Sequence, residues 1–198
     1  MTVPVLTDDG GRVFADSLDI ARWGDGHGDA PALLPDGRER EIERWVDRSE
    51  RGLNAGRALA LMRVIGDRDA LLEMVPRPLR QAGPAAVAIG RVAIERTLRK
   101  YGGQRDAAAV HARSLCDVLD ELRAALASAT GDPPVLLGRF SFADIAMAQT
   151  LAFVQPPLFG LRLGRASRRS FHDPALSARY ADLISWRDAV YDAHRPRA

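Results

Sequence analysis

The segment from Ile145 to Val154 constrains the fold most, because none of its side chains is charged. A helix that is apolar on every side is normally buried inside its domain rather than lying at the surface. The residues before it, Ser141 to Asp144, match a capping box, in which the serine and the acid each bond the backbone amide of the other. We therefore expect a central helix that begins at Ser141 and is surrounded by other helices.

Apolar side chains recur at helical spacing over most of the chain after residue 38, which predicts an all-α domain over residues 39–198. The stripes are Ile42, Trp45, Val46, Leu53, Leu59 and Met62; Val87, Ile94, Leu98 and Tyr101, ended by Gly102-Gly103; Leu115, Val118, Leu119, Leu122 and Leu126; and Leu176, Tyr180, Leu183, Ile184, Val190 and Tyr191.

Strand signals are confined to the start of the chain. Val3–Thr7 and Arg12–Ala15 flank a turn of two aspartates and two glycines, a pattern that favours a β-hairpin. Ser17 is placed to cap a helix over residues 18–23, and the glycine-rich run that follows it ends that helix. The sequence therefore predicts a small hairpin–helix unit ahead of the helical domain.

Composition and charge exclude several classes of protein. The chain has 198 residues and a formal charge of +2, and its arginines alternate with acids instead of forming one basic face, so we do not expect nucleic acid to be the partner. Cys116 is the only cysteine, which rules out an internal disulfide and favours a reducing compartment. No leader is visible and no apolar run approaches the roughly 20 residues of a membrane span. We expect a cytoplasmic protein without a membrane partner.

Other motifs carry weaker signals. The four histidines are scattered without metal-ligand spacing, so no metal site is predicted. The Gly24-x-Gly26-x-Gly28 run follows a helix instead of a strand, which favours a linker over a phosphate loop. Arginines cluster in a predicted loop over Leu161–Phe171, where they either balance nearby acids in solvent or bind an anion, a partner or nucleic acid. The clustered residues are Arg162, Arg165, Arg168 and Arg169.

Taken together, Val3-Pro4, the hairpin, Asp16-Ser17 and the Gly138–Asp144 segment resemble the glutathione S-transferase family. The resemblance implies a mostly α fold in which a truncated thioredoxin-like βα remnant precedes a glutathione-transferase-type all-α helical bundle. The corresponding units are a partial glutathione-binding domain over residues 1–28, a linker over 29–38 and the all-α domain over 39–198.

The resemblance also implies roles for individual residues. Pro4 would follow a cis peptide bond, and the Val3 backbone would bond the cysteinyl part of glutathione. Asp16 and Ser17 would bind its γ-glutamyl group, although Asp stands where Glu or Gln is usual in the family. Trp45 lies where the acceptor pocket is often found. The implied partners are glutathione as cosubstrate, a small apolar electrophile and a second copy of the chain.

The family residue that stabilises the glutathione thiolate is a Tyr, Ser or Cys near the end of a first strand, and that strand has no counterpart before Val3. We therefore assign no catalytic residue and expect this chain to be inactive alone, while a longer gene product would conjugate glutathione to an electrophile. Three explanations stay open. The natural protein starts upstream; the remnant is supported by the helical domain or a partner chain; or the chain is a non-catalytic relative that serves binding or dimerisation.

Overall fold

The computed structural model describes residues 4–29, 31–100, 107–158 and 160–194. Helices dominate them, which confirms the prediction of a mostly α chain. The helices are α1 (Ser17–Asp25), α2 (Glu39–Gly66), α3 (Arg68–Met74), α4 (Pro84–Lys100), α5 (Ala108–Leu126), α6 (Phe142–Thr150), α7 (Arg165–Phe171), α8 (Pro174–Arg179) and α9 (Ala181–His194). The strands are β1 (Leu6–Thr7), β2 (Val13–Phe14), β3 (Thr130–Gly131) and β4 (Pro134–Val135), and 3₁₀ turns cover Arg77–Ala82 and Leu151–Phe153.

The predicted N-terminal hairpin is present but shorter than expected. β1 and β2 pair antiparallel with Leu6 opposite Phe14, and the pairing does not extend over the whole of the predicted strands. At the turn, the amide of Arg12 donates to the Asp8 carboxylate at 2.8 Å, and Gly11 has a φ of +80°. Because glycine adopts a positive φ without steric penalty, the turn forms where the sequence predicted it.

A second hairpin, β3–β4, corrects the expectation that strands occur only near the start of the chain. Thr130 lies opposite Val135, and Gly131 lies opposite Pro134. Each strand has two residues, which is too short to show the alternation that identifies strands in a sequence. The indole N–H of Trp186 on α9 donates to the Pro134 carbonyl at 2.8 Å and fixes this hairpin to the bundle.

Asp16, and not Ser17, caps α1, which corrects the predicted capping role of the serine. The Asp16 carboxylate accepts hydrogen bonds from the amides of Leu18 at 2.8 Å and Asp19 at 3.3 Å. Aspartate in an extended conformation before a helix is a strong N-cap, and it leaves Ser17 as the first helical residue. The helix continues to Asp25, beyond its predicted end.

Two glycines on α2 allow α6 and the 3₁₀ turn after it to approach closely. A Cβ on Gly52 would lie 2.5 Å from Thr150 Cγ2, and a Cβ on Gly56 would lie 2.6 Å from Phe153 Cβ. The four-residue spacing puts both glycines on one face of α2. Close packing in protein interiors leaves no room for a methyl group at such distances, so this helix contact depends on both glycines.

The helix α6 lies at the centre of the bundle, as its uncharged sequence predicted. Met147 and Ala148 are fully buried in the main core cluster, to which α2, α5 and α9 also contribute. The regular α-helix ends at Thr150, and the uncharged segment continues as a 3₁₀ turn. The segment that most constrained the sequence analysis is therefore the element around which the other helices pack.

The capping box predicted at the start of α6 forms around a buried carboxylate. Asp144 Oδ2 accepts the amide and the hydroxyl of Ser141, each at 2.9 Å, and Oδ1 accepts the amide of Leu136 at 2.8 Å. Burial raises the pKa of the Asp144 carboxyl above its ordinary value, although these hydrogen bonds oppose the shift. The carboxylate thus joins α6 to the chain that enters it.

Part of the basic segment predicted as a loop over Leu161–Phe171 is helical, since it contains α7. The start of α7 is capped by Glu73 on α3, whose carboxylate accepts the amides of Ala166 at 3.0 Å and Ser167 at 2.7 Å. This capping group comes from a distant part of the chain. No residue next to α7 in the sequence therefore predicts where the helix begins.

The last predicted apolar stripe is divided into two helices. Tyr180 lies between α8 and α9 and is fully buried, and its hydroxyl donates to Asp120 at 3.0 Å. The helix end expected at Tyr101 and the two glycines after it falls outside the described residues.

The N-terminal unit packs directly on the helical bundle. Leu18 of α1 is buried in one cluster with Ile42 of α2 and Ala143 of α6. On the same helix, Arg22 pairs with Glu43 of α2 at 2.8 Å. The apolar contact and the ion pair together hold α1 against α2.

The connector between α1 and α2, residues 26–38, is hydrogen-bonded both to the end of α1 and to the start of α6. The Asp25 carboxylate, at the end of α1, accepts the amides of Leu33 at 2.9 Å and Leu34 at 2.8 Å. The Leu33 carbonyl accepts the amide of Phe142, the first residue of α6, at 2.8 Å. The segment predicted as a linker is therefore part of the packed structure.

Candidate functional site

The residues that the resemblance assigned to glutathione lie at the start of α1 and beside it. Pro4 is exposed just before β1, and Asp16 and Ser17 are exposed at the helix start. Val3 lies outside the described residues.

This end of α1 carries an anionic group and a hydroxyl on consecutive residues. The Asp16 carboxylate is held in place by the helix amides that it caps. Ser17 follows Asp16 in the chain and is the first residue of the helix, at the positive end of the helix dipole. Such a pair is suited to an α-amino acid group, because the Asp16 carboxylate attracts an ammonium while the Ser17 hydroxyl can donate to a carboxylate; the helix amides of Leu18 and Asp19 are already bonded to Asp16.

A cleft of about 760 Å³ opens where the N-terminal unit meets the helical bundle. Its volume is within the range of small-molecule sites in proteins. The cleft is bordered by α1, the connector, the loop before α6 and the end of α9. Its lining includes Ala21, Gly24 and Asp25 from α1, together with Arg139, Phe140 and His194.

The helix α1 joins the predicted glutathione residues to this cleft. Ser17, Ala21 and Gly24 are spaced by four and three residues, so they share one face of the helix. With a rise of 1.5 Å per residue, Ser17 lies about 6 Å along the axis from Ala21 and about 10 Å from Gly24. Because an extended tripeptide spans up to about 10 Å, a ligand held at Ser17 can reach into the cleft.

Two charged side chains, those of Asp25 and Arg139, line the cleft and differ in their hydrogen-bond partners. Asp25 uses one carboxylate oxygen for the Leu33 amide and the other for the Leu34 amide. Arg139 is exposed and donates one N–H to the Ala32 carbonyl at 2.7 Å. Within the part of the chain that the structure describes, no carboxylate forms an ion pair with this guanidinium. Among the described residues that line the cleft, Arg139 is therefore a cation that no carboxylate neutralises.

An aromatic pair forms one wall of the cleft. The rings of Phe140 and His194 stack with their centroids 3.6 Å apart and their planes 5° from parallel. Phe140 also packs against the main core cluster, so the pair is supported from within the bundle. The last residue of α9 is thereby joined to the loop that leads into α6.

Trp45, assigned by resemblance to an acceptor pocket, contributes to packing and does not line this cleft. It is half-buried and touches two core clusters. The guanidinium of Arg48 lies over its ring, 4.9 Å from the centroid. Trp23 on α1 stacks on His27 with centroids 4.4 Å apart.

Two arginines of the basic cluster, Arg168 and Arg169, form hydrogen bonds or ion pairs with other parts of the chain. The Arg168 guanidinium donates to the carbonyls of Pro157 at 3.0 Å and Leu161 at 3.2 Å. Arg169 pairs with Asp67 at 3.3 Å. Both guanidinium groups therefore have partners within the chain. This favours the interpretation that the basic cluster balances nearby acids over the interpretation that it binds a ligand.

Across the described ranges, no helix is both long enough and apolar enough to cross a membrane. In the same residues, no three His, Cys, Asp or Glu side chains are grouped as metal ligands. Comparisons with protein-family models, curated proteins and solved structures return no match to this chain.

Most of the residues that line the cleft were not predicted from the sequence. Arg139 and Phe140 belong to the segment that carried the family resemblance, where neither was assigned a binding role. The sequence signal that could have identified them is a cationic residue next to an aromatic residue, just before a capping box. No sequence signal marks His194, because it lies far along the chain and only the packing of α9 brings it to Phe140.

Proposed function

We propose that this chain is a glutathione-transferase-like protein that binds glutathione at the start of α1 and an apolar electrophile in the adjoining cleft. The observation that carries the proposal is the shared face of Ser17, Ala21 and Gly24, which joins a site for an amino acid group to a cavity of small-molecule size. The role proposed for these residues is binding and positioning, and no residue is assigned to thiol activation.

The arrangement of elements supports this proposal in a second way. A βα unit packs on a helical bundle through α1 and α2, and the cleft opens between the two parts. Ligand sites occur preferentially at such junctions. The capping-box helix α6 lies at the centre of the bundle, where the resemblance places it.

Calorimetric titration with reduced glutathione tests the proposal. Because Asp16 caps α1, Ser17→Ala removes a ligand contact without removing the cap. A hydrogen bond to a charged group is worth about 1.5–3 kcal/mol, so we expect Ser17→Ala to weaken binding about 10-fold or more. Ser185→Ala on α9, which removes a hydroxyl bonded only within its own helix, is the matched control. Absence of binding at 10 mM glutathione, or equal affinity in both variants, would contradict the proposal.

A second candidate is a non-catalytic module that dimerises through the N-terminal hairpin. Each strand of this hairpin has one edge that no described residue pairs with. Val5 and Val13 are 37% and 53% exposed beside these edges, and an unpaired apolar edge favours strand addition by a second copy. Light scattering should then give a dimer that Val13→Lys converts to a monomer. A monomeric wild-type chain excludes this candidate.

A further inference from the structure

We propose that the cleft selects flat aromatic carboxylates, with the ring against the Phe140–His194 pair and the carboxylate on Arg139. This inference rests on the proposed function and narrows its apolar electrophile to one whose apolar part is a flat aromatic ring and which carries a carboxylate apart from its reactive centre.

The charge of the cleft favours an acid. Arg139 has five N–H donors and uses one of them on the Ala32 carbonyl. That bond holds the guanidinium at the rim, and the rest of the donor fork is available to a ligand. A carboxylate is the anion whose geometry matches this fork, because two parallel hydrogen bonds can form.

The acidic side chain in the lining does not compete for that arginine. Both oxygens of Asp25 accept backbone amides, from Leu33 and Leu34. No ion pair between Asp25 and Arg139 is present among the described side chains. A ligand carboxylate would therefore pair with Arg139 without displacing an existing partner.

The apolar lining favours a flat ring next to the carboxylate. Phe140 and His194 offer an aromatic wall, against which an aromatic ligand can stack or pack edge-on. Ala21 and Gly24 are small, so α1 takes up little of the cleft where it lines it. The cleft volume of about 760 Å³ accommodates a fused bicyclic ring with room for a second ligand group.

Fluorescence titration with 2-naphthoate and with 2-naphthalenemethanol tests the proposal on the full chain. The two probes share one ring system and differ in charge. We expect the acid to bind about 10-fold more tightly than the alcohol, which corresponds to one charge-assisted hydrogen-bonded pair. Arg139→Gln should abolish this preference and leave the affinity for the alcohol within about 2-fold, whereas Arg162→Gln, at an exposed arginine outside the cleft, should change neither probe.

Two further variants keep the test decisive if loss of the Ala32 contact disturbs the connector. Arg139→Lys retains the charge and should keep a preference for the acid. Phe140→Leu should weaken both probes by a similar factor, because it removes the aromatic wall and not the charge. Equal affinity of the wild type for both probes, or an unchanged preference in Arg139→Gln, would overturn the inference.

These titrations contain no glutathione. The glutathione proposal and the proposal for aromatic carboxylates can therefore be contradicted independently of each other. Selective naphthoate binding without glutathione binding leaves the preference of the cleft for aromatic carboxylates standing and removes the proposed function. Glutathione binding together with equal affinity for the two probes does the reverse.

Discussion

The carboxylate of Glu73 on α3 occupies the space into which a side chain on Gly164 would project. A Cβ at position 164 would overlap this carboxylate, which is held there by the amides of Ala166 and Ser167 at the start of α7. The glycine has a φ of −64°, which any residue can adopt. It is therefore required for space and not for backbone freedom.

The first prediction follows from this contact. Gly164→Ala should displace the Glu73 carboxylate and leave the amides of Ala166 and Ser167 without their acceptor. We expect the free energy of unfolding in urea to fall by about 1–3 kcal/mol. In a Glu73→Ala background the same substitution should cost nothing or stabilise slightly, because the space is empty and alanine restricts the unfolded chain. Equal costs in both backgrounds would disprove the contact.

The second prediction concerns acid stability. Partial burial by itself would raise the pKa of the Glu73 carboxyl, but the hydrogen bonds from Ser167 and Ala166 outweigh it and hold the pKa below its ordinary value of 4.5. A carboxyl with a lowered pKa in the folded state stabilises the fold above its unfolded pKa, and this contribution is lost as the pH falls through the folded pKa. The stability difference between wild type and Glu73→Gln should therefore be largest above pH 5 and shrink toward pH 3. A difference that is constant with pH would count against this role for Glu73.

The third prediction concerns the contact between α2 and the 3₁₀ turn. A methyl group on Gly56 would lie 2.6 Å from Phe153 Cβ, an atom next to the backbone that cannot swing aside. Overpacking of this kind costs about 1–3 kcal/mol, so Gly56→Ala should lower the thermal and urea midpoints. Gly66→Ala is the control, because a Cβ at Gly66 meets no atom within 4 Å. Similar stability of the two variants would show that the helices have room to separate.

The fourth prediction concerns the buried carboxylate of the capping box. Asp144 accepts hydrogen bonds from Leu136 and Ser141 through both oxygens. In Asp144→Asn, one oxygen becomes an amide nitrogen that faces another donor, and we expect a loss of about 1–3 kcal/mol in urea unfolding. Asp117→Asn, at an exposed position on α5, should change stability little. If the two variants unfold at the same urea concentration, the carboxylate is not what holds the start of α6.

Local patterns predicted the parts of the fold that local physics determines. The uncharged segment after Ser141 predicted the central helix, and the Asp-Gly turn predicted the first hairpin. Helical periodicity located α2, α4 and α5 because each buries one continuous stripe. In each case the residues that specify the element lie within a few positions of one another.

The parts that were missed depend on residues far apart in the chain. The start of α7 depends on Glu73, which lies on α3. The cap of α1 was assigned to Ser17 instead of Asp16, since two adjacent capping residues are not distinguished by pattern alone. The cleft combines α1 with Arg139 and His194, and no local pattern expresses that combination.

The hydrogen bond between the Leu33 carbonyl and the Phe142 amide has a practical consequence. Leu33 borders the cleft, and Phe142 is the first residue of the innermost helix. A compound that binds the cleft in the folded chain and not in the unfolded chain therefore raises the free energy of unfolding by mass action. A thermal-shift screen of small molecules would detect such compounds without any prior choice of reaction.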